Sequence, residues 1–202
     1  MQKLNETINK IEEIDYSLAD KTQKRLDNLT KPLGSLGRLE EIAKQIVEIT
    51  KKENPSVKNK VIFTMAGDHG VVEEGISAYP KEVTPQMVYN FLRGGAGINV
   101  LARHVGAKVV VVDMGVACDF EPHSELVIKK VNYGTKNMAK GPAMSKDEAV
   151  KSIENGIEIF EEEAKLGIDI AGTGDMGIGN TTPSSAIASV ITGRPVDDMV
   201  GR

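Results

Sequence analysis

The chain has 202 residues, of which 40% are hydrophobic and 27% charged, and its formal net charge is −4. This composition is typical of a folded globular protein, and an acidic chain with few aromatic residues is not expected to bind nucleic acid. A single cysteine, Cys118, excludes an internal disulfide and a zinc site made of cysteines. No apolar run is long enough to span a membrane and no secretory signal opens the chain, so we expect a cytoplasmic protein.

Helical patterns dominate the beginning of the chain. Apolar residues at helical spacing predict an opening amphipathic helix, whose apolar side contains Leu4, Ile8, Ile11 and Ile14. Two more helices are predicted, at residues 20–29 and 38–52, with a loop rich in glycine and proline between them. The composition changes after Pro55. We therefore predict a small helical subdomain at 1–55 and a nucleotide-binding α/β domain at 56–202.

The rest of the chain alternates short apolar runs with helical segments. The runs that predict strands are residues 61–66, 109–113, 126–131 and 168–171. Helix starts are indicated by Thr84 with Pro85 and by a capping box of Ser145 and Glu148. We predict an α/β fold with a parallel, Rossmann-like sheet flanked by helices. In such sheets ligands bind beyond the carboxyl ends of the strands.

The most unusual segment follows the last of these strands. It is predicted to be a loop with glycines at Gly172, Gly174, Gly177 and Gly179, and to lead into a helix capped by Thr181 or Thr182. Glycine permits close approach of a ligand, and N–H groups at a helix start attract anions, so the segment predicts a phosphate site. It also matches the glycine pattern of dinucleotide-binding turns, but the helix begins too late and Asp175 would repel a pyrophosphate. The alternative is an ordinary strand-to-helix turn.

Three aspartates, Asp68, Asp113 and Asp175, lie at the ends of predicted strands. One hypothesis is a magnesium site, but their spacing is not that of a metal motif, and the first two are better interpreted as residues that each cap their own loop. His69 is either a general base or a hydrogen-bonded structural residue. Residues 71–90 either roof a pocket for a flat apolar ligand or form a surface loop ahead of a core helix.

Six motifs, in order and spread over essentially the whole chain, resemble those of one family. They are residues 31–40, 66–71, 75–80 with 83–87, 94–103, 141–145 and 177–183. Through these motifs the chain is similar to nicotinate-nucleotide–dimethylbenzimidazole phosphoribosyltransferases, which act in cobalamin synthesis.

The resemblance implies that 5-phosphoribose passes from nicotinate mononucleotide to 5,6-dimethylbenzimidazole, giving α-ribazole 5′-phosphate and nicotinate with inversion at the anomeric carbon. It implies no metal and no cofactor, and a homodimer. Asp175 matches a catalytic carboxylate, usually glutamate, beside the ribose. The residues that match the nucleotide site are Gly174, Asp175, Gly177, Asn180, Thr181 and Thr182. The residues that match the benzimidazole pocket are Asp68, His69, Ser77, Tyr79, Gln86 and Met87.

The chain departs from this family at its end. The family's general base is a glutamate in a C-terminal segment, and no residue of this sequence, which ends at Arg202, matches it. We therefore expect a truncated member that binds nucleotide or azole weakly and has little activity alone. The alternatives are a non-catalytic nucleotide- or azole-binding module and, from the glycine pattern, an NAD-dependent oxidoreductase. The natural base, azole or phenolic, stays open.

Overall fold

The computed structural model describes residues 1–200, and the chain divides into two compact units. The smaller unit is Asn5–Lys58, and the larger contains Met1–Leu4 and the residues from Asn59 onward. Within residues 1–200, no helix combines the length and apolar character needed to cross a membrane.

Three helices occupy the beginning of the chain: α1 is Gln2–Ile8, α2 is Ala19–Asp27 and α3 is Arg38–Thr50. The opening helix is shorter than predicted, because it ends at Ile8 and leaves Ile11 and Ile14 outside it. Those two side chains are 75% and 42% exposed, so continuing the helix would not bury its apolar side. Short helices gain most of their stability from such burial.

The larger unit is built on a four-stranded parallel sheet. The strands are β1 Lys60–Gly67, β2 Ala107–Gly115, β3 Leu126–Ile128 and β4 Ile170–Met176. The helices are α4 Val83–Leu92, α5 Gly97–Val105, α6 Lys146–Ala164 and α7 Thr181–Thr192, with short 3-10 helices at Gly70–Glu74 and Val196–Asp198. The predicted α/β fold with a parallel sheet and flanking helices is confirmed.

The centre of the sheet is buried on both faces. Val111 of β2 packs in a cluster with Val88 and Phe91 of α4, whereas Val110 and Val112 pack in a second cluster with Ile159 of α6. Successive side chains of a strand point to opposite faces, so a continuous run of valines fits a strand that is covered on both sides.

The strand order is β3-β2-β1-β4. The chain therefore moves from β1 to β2 and β3 in one direction, and α6 then returns it to β4 on the other side of β1. The strand order reverses between β1 and β4, and parallel α/β proteins place a ligand in the crevice at the carboxyl ends of the strands at such a point.

The glycine-rich segment is mostly strand, contrary to the prediction of a long loop. β4 pairs with β1 from Ile170 to Met176 and includes Gly172 and Gly174. A Cβ at Gly172 would lie 2.6 Å from Cδ1 of Ile62, so this glycine makes room for a neighbouring side chain. The loop itself consists of residues 177–180 only.

Two predicted helix caps are also wrong, and one is confirmed. Helix α4 begins at Val83, so Thr84 lies inside its first turn and is completely buried. Helix α7 begins at Thr181, and the residue before it, Asn180, makes no capping bond through its side chain. The capping box of Ser145 and Glu148 is present at the start of α6. The carboxylate of Glu148 accepts hydrogen bonds from the amide of Ser145, from Asn132 and from Oγ of Ser145, which lower its pKa to about 2.

The strand predicted at 126–131 is regular only as far as Ile128. Beyond it, the amides of Lys129 and Val131 still donate to the carbonyls of Asp113 and Met114, at 2.9 and 3.0 Å. The chain therefore continues along β2 without regular strand geometry.

Candidate active site

The 177–180 loop packs directly against the end of β1. A Cβ at Gly177 would lie 2.2 Å from the carbonyl oxygen of Gly67 and 2.8 Å from Nε2 of His69. Real Cβ atoms do not approach other atoms so closely. Only glycine at this position therefore allows the loop to contact β1.

His69 and Asn180 form the polar contact between the two strand ends. Nδ2 of Asn180 lies 3.3 Å from Nε2 of His69, and Oδ1 of Asn180 accepts a hydrogen bond from Oγ of Ser184 at 2.8 Å. With the amide nitrogen as donor, Nε2 is the acceptor and the imidazole is neutral. Burial lowers the pKa of His69 below its ordinary value, although the carboxylates of Asp68 and Asp175 oppose the shift. The environment thus favours the neutral form that this contact requires.

The amides of the 177–180 loop are only partly available to a ligand. The amide of Ile178 donates to Oγ1 of Thr84 at 3.1 Å, and that of Asn180 donates to the carbonyl of Gly177 at 3.0 Å. Within residues 1–200, the amides of Gly179 and Thr181 donate to no protein group. Two N–H groups at the start of α7 therefore remain for an anion.

Asp113 caps the loop that follows its own strand, as predicted. Its Oδ1 accepts hydrogen bonds from the amides of Gly115 and Val116 at 3.0 and 2.8 Å. Its Oδ2 pairs with Nζ of Lys130 at 2.8 Å, and the carboxylate is completely buried. This aspartate is a structural residue.

Asp68 acts differently from the prediction, because it caps another strand's loop. Its Oδ2 accepts from the amide of Ala117, beyond the end of β2, at 2.8 Å. Asp175, by contrast, is exposed on β4, where it pairs in register with Met65. Among residues 1–200 there is no group of three or more side chains of histidine, cysteine, aspartate or glutamate that could hold a metal ion.

A further segment of the site, residues 131–144, was not predicted to contribute. The amide of Thr135 donates to the carbonyl of Asp68 at 3.0 Å, and its Oγ1 accepts from the amide of Gly70 at 3.2 Å. With Asp68, His69 and Met114, this segment encloses a cavity of about 170 Å³. The sequence signal in this segment was the motif at 141–145, and that motif did not indicate which parts of the site the segment would contact.

The predicted benzimidazole residues are dispersed in the structure. Asp68 and His69 line the 170 Å³ cavity, but Ser77, Tyr79 and Gln86 do not. Oγ of Ser77 accepts from the amide of Tyr79 at 3.3 Å, and the tyrosine is 66% exposed. Gln86 is exposed, and Met87 packs against the core cluster that contains Val88.

The predicted nucleotide residues are grouped more closely. Gly177 and Asn180 contact the end of β1 through His69, and Thr181 and Thr182 begin α7. Gly174 lies in β4, where it pairs in register with Thr64. The structure therefore brings Asp68, His69, Gly177 and Asn180 together at one edge of the sheet.

These features define a class of protein: a parallel α/β fold whose candidate site lies at the carboxyl ends of two adjacent strands where the strand order reverses, as in proteins that bind nucleotides. Comparison with known sequences makes the class specific. A family described as phosphoribosyltransferase matches residues 11–202, and the chain belongs to this family.

Curated relatives from two organisms are similar over the entire chain. They are the nicotinate-nucleotide–dimethylbenzimidazole phosphoribosyltransferases of Geotalea uraniireducens (strain Rf4), 58% identical over 202 residues, and of Geobacter sulfurreducens (strain ATCC 51573 / DSM 12127 / PCA), 57% identical over 202 residues. The matches cover 100% of this chain and 57% of each relative, so the chain spans little more than half their length.

The crystal structure of CobT from Thermus thermophilus has the same fold. It superimposes with a TM-score of 0.89 at 42% sequence identity, over 92% of this chain and 56% of that one. The resemblance stated from the six motifs is therefore confirmed.

Proposed function

We propose that this chain takes part in the transfer of 5-phosphoribose from nicotinate mononucleotide to 5,6-dimethylbenzimidazole, which gives α-ribazole 5′-phosphate and nicotinate. Membership of the phosphoribosyltransferase family and the names of the relatives support this proposal. The observation that carries it is the meeting of the 177–180 loop with the end of β1, where His69 and Asn180 lie 3.3 Å apart. This is the crevice in which parallel α/β proteins bind nucleotides.

The start of α7 is the proposed site of the nucleotide phosphate. The amides of Gly179 and Thr181 are not used by the described protein groups, and α7 is 12 residues long, so its dipole favours an anion at this end. The remaining residues that we assign to the nucleotide are Gly174, Asp175, Gly177, Asn180 and Thr182.

In the proposed reaction, an azole nitrogen attacks the anomeric carbon of the ribose. The bond from this carbon to nicotinate breaks as the new carbon–nitrogen bond forms, and the bonding electrons neutralise the pyridinium nitrogen of the leaving group. The azole gives up its N–H proton to water. Asp175 is exposed at the end of β4, and its negative charge raises the pKa of His69, against the larger effect of burial. We assign its carboxylate to stabilising positive charge at the anomeric carbon.

We assign the azole to Asp68, His69 and the 77–87 segment, on the strength of the resemblance to the family. The segment contributes Ser77, Tyr79, Gln86 and Met87. Because the tyrosine is 66% exposed, its ring is available to stack on a flat apolar base.

Calorimetric titration with nicotinate mononucleotide, paired with an assay of nicotinate release in the presence of dimethylbenzimidazole, tests the proposal. We expect saturable nucleotide binding, and release that Asp175→Asn reduces at least tenfold. Glu125→Gln, which neutralises another exposed carboxylate, is the matched control and should leave both unchanged. Absence of saturable nucleotide binding to the unaltered chain would refute the proposal.

A non-catalytic nucleotide- or azole-binding module is the second candidate. It is favoured by the amides of Gly179 and Thr181, which can bind a phosphate group without catalysing any transfer. This alternative predicts that the chain binds nicotinate mononucleotide but releases no nicotinate when the azole is added.

We also propose a homodimer and a cytoplasmic location. The dimer is supported by the resemblance to the family, and the location by the mononucleotide and azole substrates assigned to the site. Light scattering on the purified chain tests the first proposal, and fractionation of cells that express it tests the second.

A further inference from the structure

Thr84 connects two segments of the site that are far apart in the sequence. It lies in the first turn of α4, within the 77–87 segment, and it is completely buried. Its Oγ1 accepts the hydrogen bond from the amide of Ile178, 94 residues later, at 3.1 Å. One side-chain oxygen therefore links the proposed azole segment to the proposed nucleotide loop.

The hydroxyl group, rather than the shape of the side chain, makes this link. Valine has nearly the shape of threonine and would fill the same buried space, but it has no acceptor for the amide of Ile178. An N–H group left without a partner in a partly buried position, as here, is unfavourable, so the loop would have to move to reach another acceptor.

The bond to Thr84 is a hydrogen bond between the middle of the 177–180 loop and a distant segment, and it adds to the close packing of Gly177 on β1. Ile178 stands between Gly177 and Gly179, which have no side chains that could form further hydrogen bonds. At the far end of the loop, the side chain of Asn180 contacts His69 and accepts a hydrogen bond from Ser184.

We propose that Thr84 is a positioning residue, which fixes the 177–180 loop relative to the 77–87 segment and so sets where the nucleotide lies in relation to the azole. This inference rests on the proposed function. Thr84 does not touch the nucleotide. It acts through the amide of Ile178, which in turn fixes the neighbouring amides of Gly179 and Thr181.

The test compares three variants with the unaltered chain. Thr84→Val removes the acceptor and keeps the shape, whereas Thr84→Ser keeps the hydroxyl. Thr64→Val makes the same change at another buried threonine, which is 3% exposed and lies on β1. Calorimetry gives the dissociation constant for nicotinate mononucleotide, and hydrogen exchange followed by NMR gives the protection of the Ile178 amide.

We expect Thr84→Val to weaken nucleotide binding about tenfold, which corresponds to one lost hydrogen bond of about 1.4 kcal/mol. Thr84→Ser and Thr64→Val should bind as the unaltered chain does. Exchange of the Ile178 amide should accelerate in Thr84→Val and not in Thr64→Val.

If Thr84→Val binds the nucleotide as tightly as the unaltered chain, the inference is wrong and the proposed function stands. If the unaltered chain does not bind the nucleotide, the proposed function fails and the inference fails with it. An Ile178 amide that exchanges at the same rate in Thr84→Val overturns the inference even if that variant is too unstable for calorimetry.

Discussion

Replacing Gly177 by alanine should disrupt the site through a single methyl group. The new Cβ would lie 2.2 Å from the carbonyl oxygen of Gly67 and 2.8 Å from Nε2 of His69. The first of these atoms belongs to the backbone of β1, where Gly67 pairs with Gly115 of β2. The loop, rather than the strand, must therefore move.

The cost follows from the size of this overlap. Overpacking by a methyl group in a well-packed region typically lowers the free energy of unfolding by about 1–3 kcal/mol. For a protein of this size, each kcal/mol corresponds to a change of about 2–4 °C in the melting temperature. Displacing the loop also separates Asn180 from His69, so nucleotide affinity should fall together with stability.

Urea unfolding followed by circular dichroism measures the first effect, and calorimetry with nicotinate mononucleotide measures the second. Gly156→Ala is the matched control, because a Cβ there meets no atom within 4 Å and the position lies in the middle of α6. It should stabilise the chain by up to about 1 kcal/mol, since alanine favours helix more than glycine does. If Gly177→Ala is as stable as the unaltered chain, the result contradicts the close packing of the 177–180 loop on β1.

Three further perturbations test other contacts. Burial lowers the pKa of His69 below 6.5, so on acidification the unfolded chain takes up this proton at a higher pH than the folded chain does. The contribution of His69 to the free energy of unfolding is therefore fully present above pH 6.5 and is lost as the pH falls through the folded-state pKa. His69→Gln should remove that slope from a series of urea unfolding curves. Ser145→Ala removes a capping hydroxyl and should lower the free energy of unfolding by about 1 kcal/mol in the same assay. Lys130→Met leaves Asp113 buried without its cation and should cost about 3–5 kcal/mol, whereas adding Asp113→Asn should recover part of this loss.

Each of these predictions has its own control and its own contrary result. Equal pH slopes for the unaltered chain and His69→Gln would show that this imidazole is not the titrating group. Ser124→Ala, at an exposed loop serine, should change stability little, and a similar result for Ser145→Ala would contradict the capping argument. Lys129→Met removes a more exposed ion pair with Glu158 and should cost less than about 1 kcal/mol. If Lys130→Met lowers the free energy of unfolding by no more than Lys129→Met does, the burial of Asp113 does not make its ion pair more important for stability.

The sequence predicted part of the candidate site because the residues concerned follow strands. Asp68, His69 and Gly177 were expected at the carboxyl ends of strands, and the structure places them together. Thr84 was misinterpreted as a helix cap, because a threonine before a proline is a local signal for a helix start. Its actual partner, the amide of Ile178, lies 94 residues away and leaves no local pattern.

The sequence alone determined the class of fold and the starts of some helices. Continuous apolar runs that alternate with helical patterns require a parallel sheet covered on both faces, and the capping box of Ser145 and Glu148 needs only residues three apart. These features are local, so the order of the residues specifies them directly.

Only the tertiary structure decided which strands are neighbours and which residues share a site. It placed β4 beside β1, extended β4 through Gly172 and Gly174, and set Asp68 against the amide of Ala117 instead of its own loop. Such choices depend on the packing of segments that are distant in the chain, where many pairings fit the same apolar pattern. The site exists because that packing brings two glycine-containing turns close enough for His69 and Asn180 to meet.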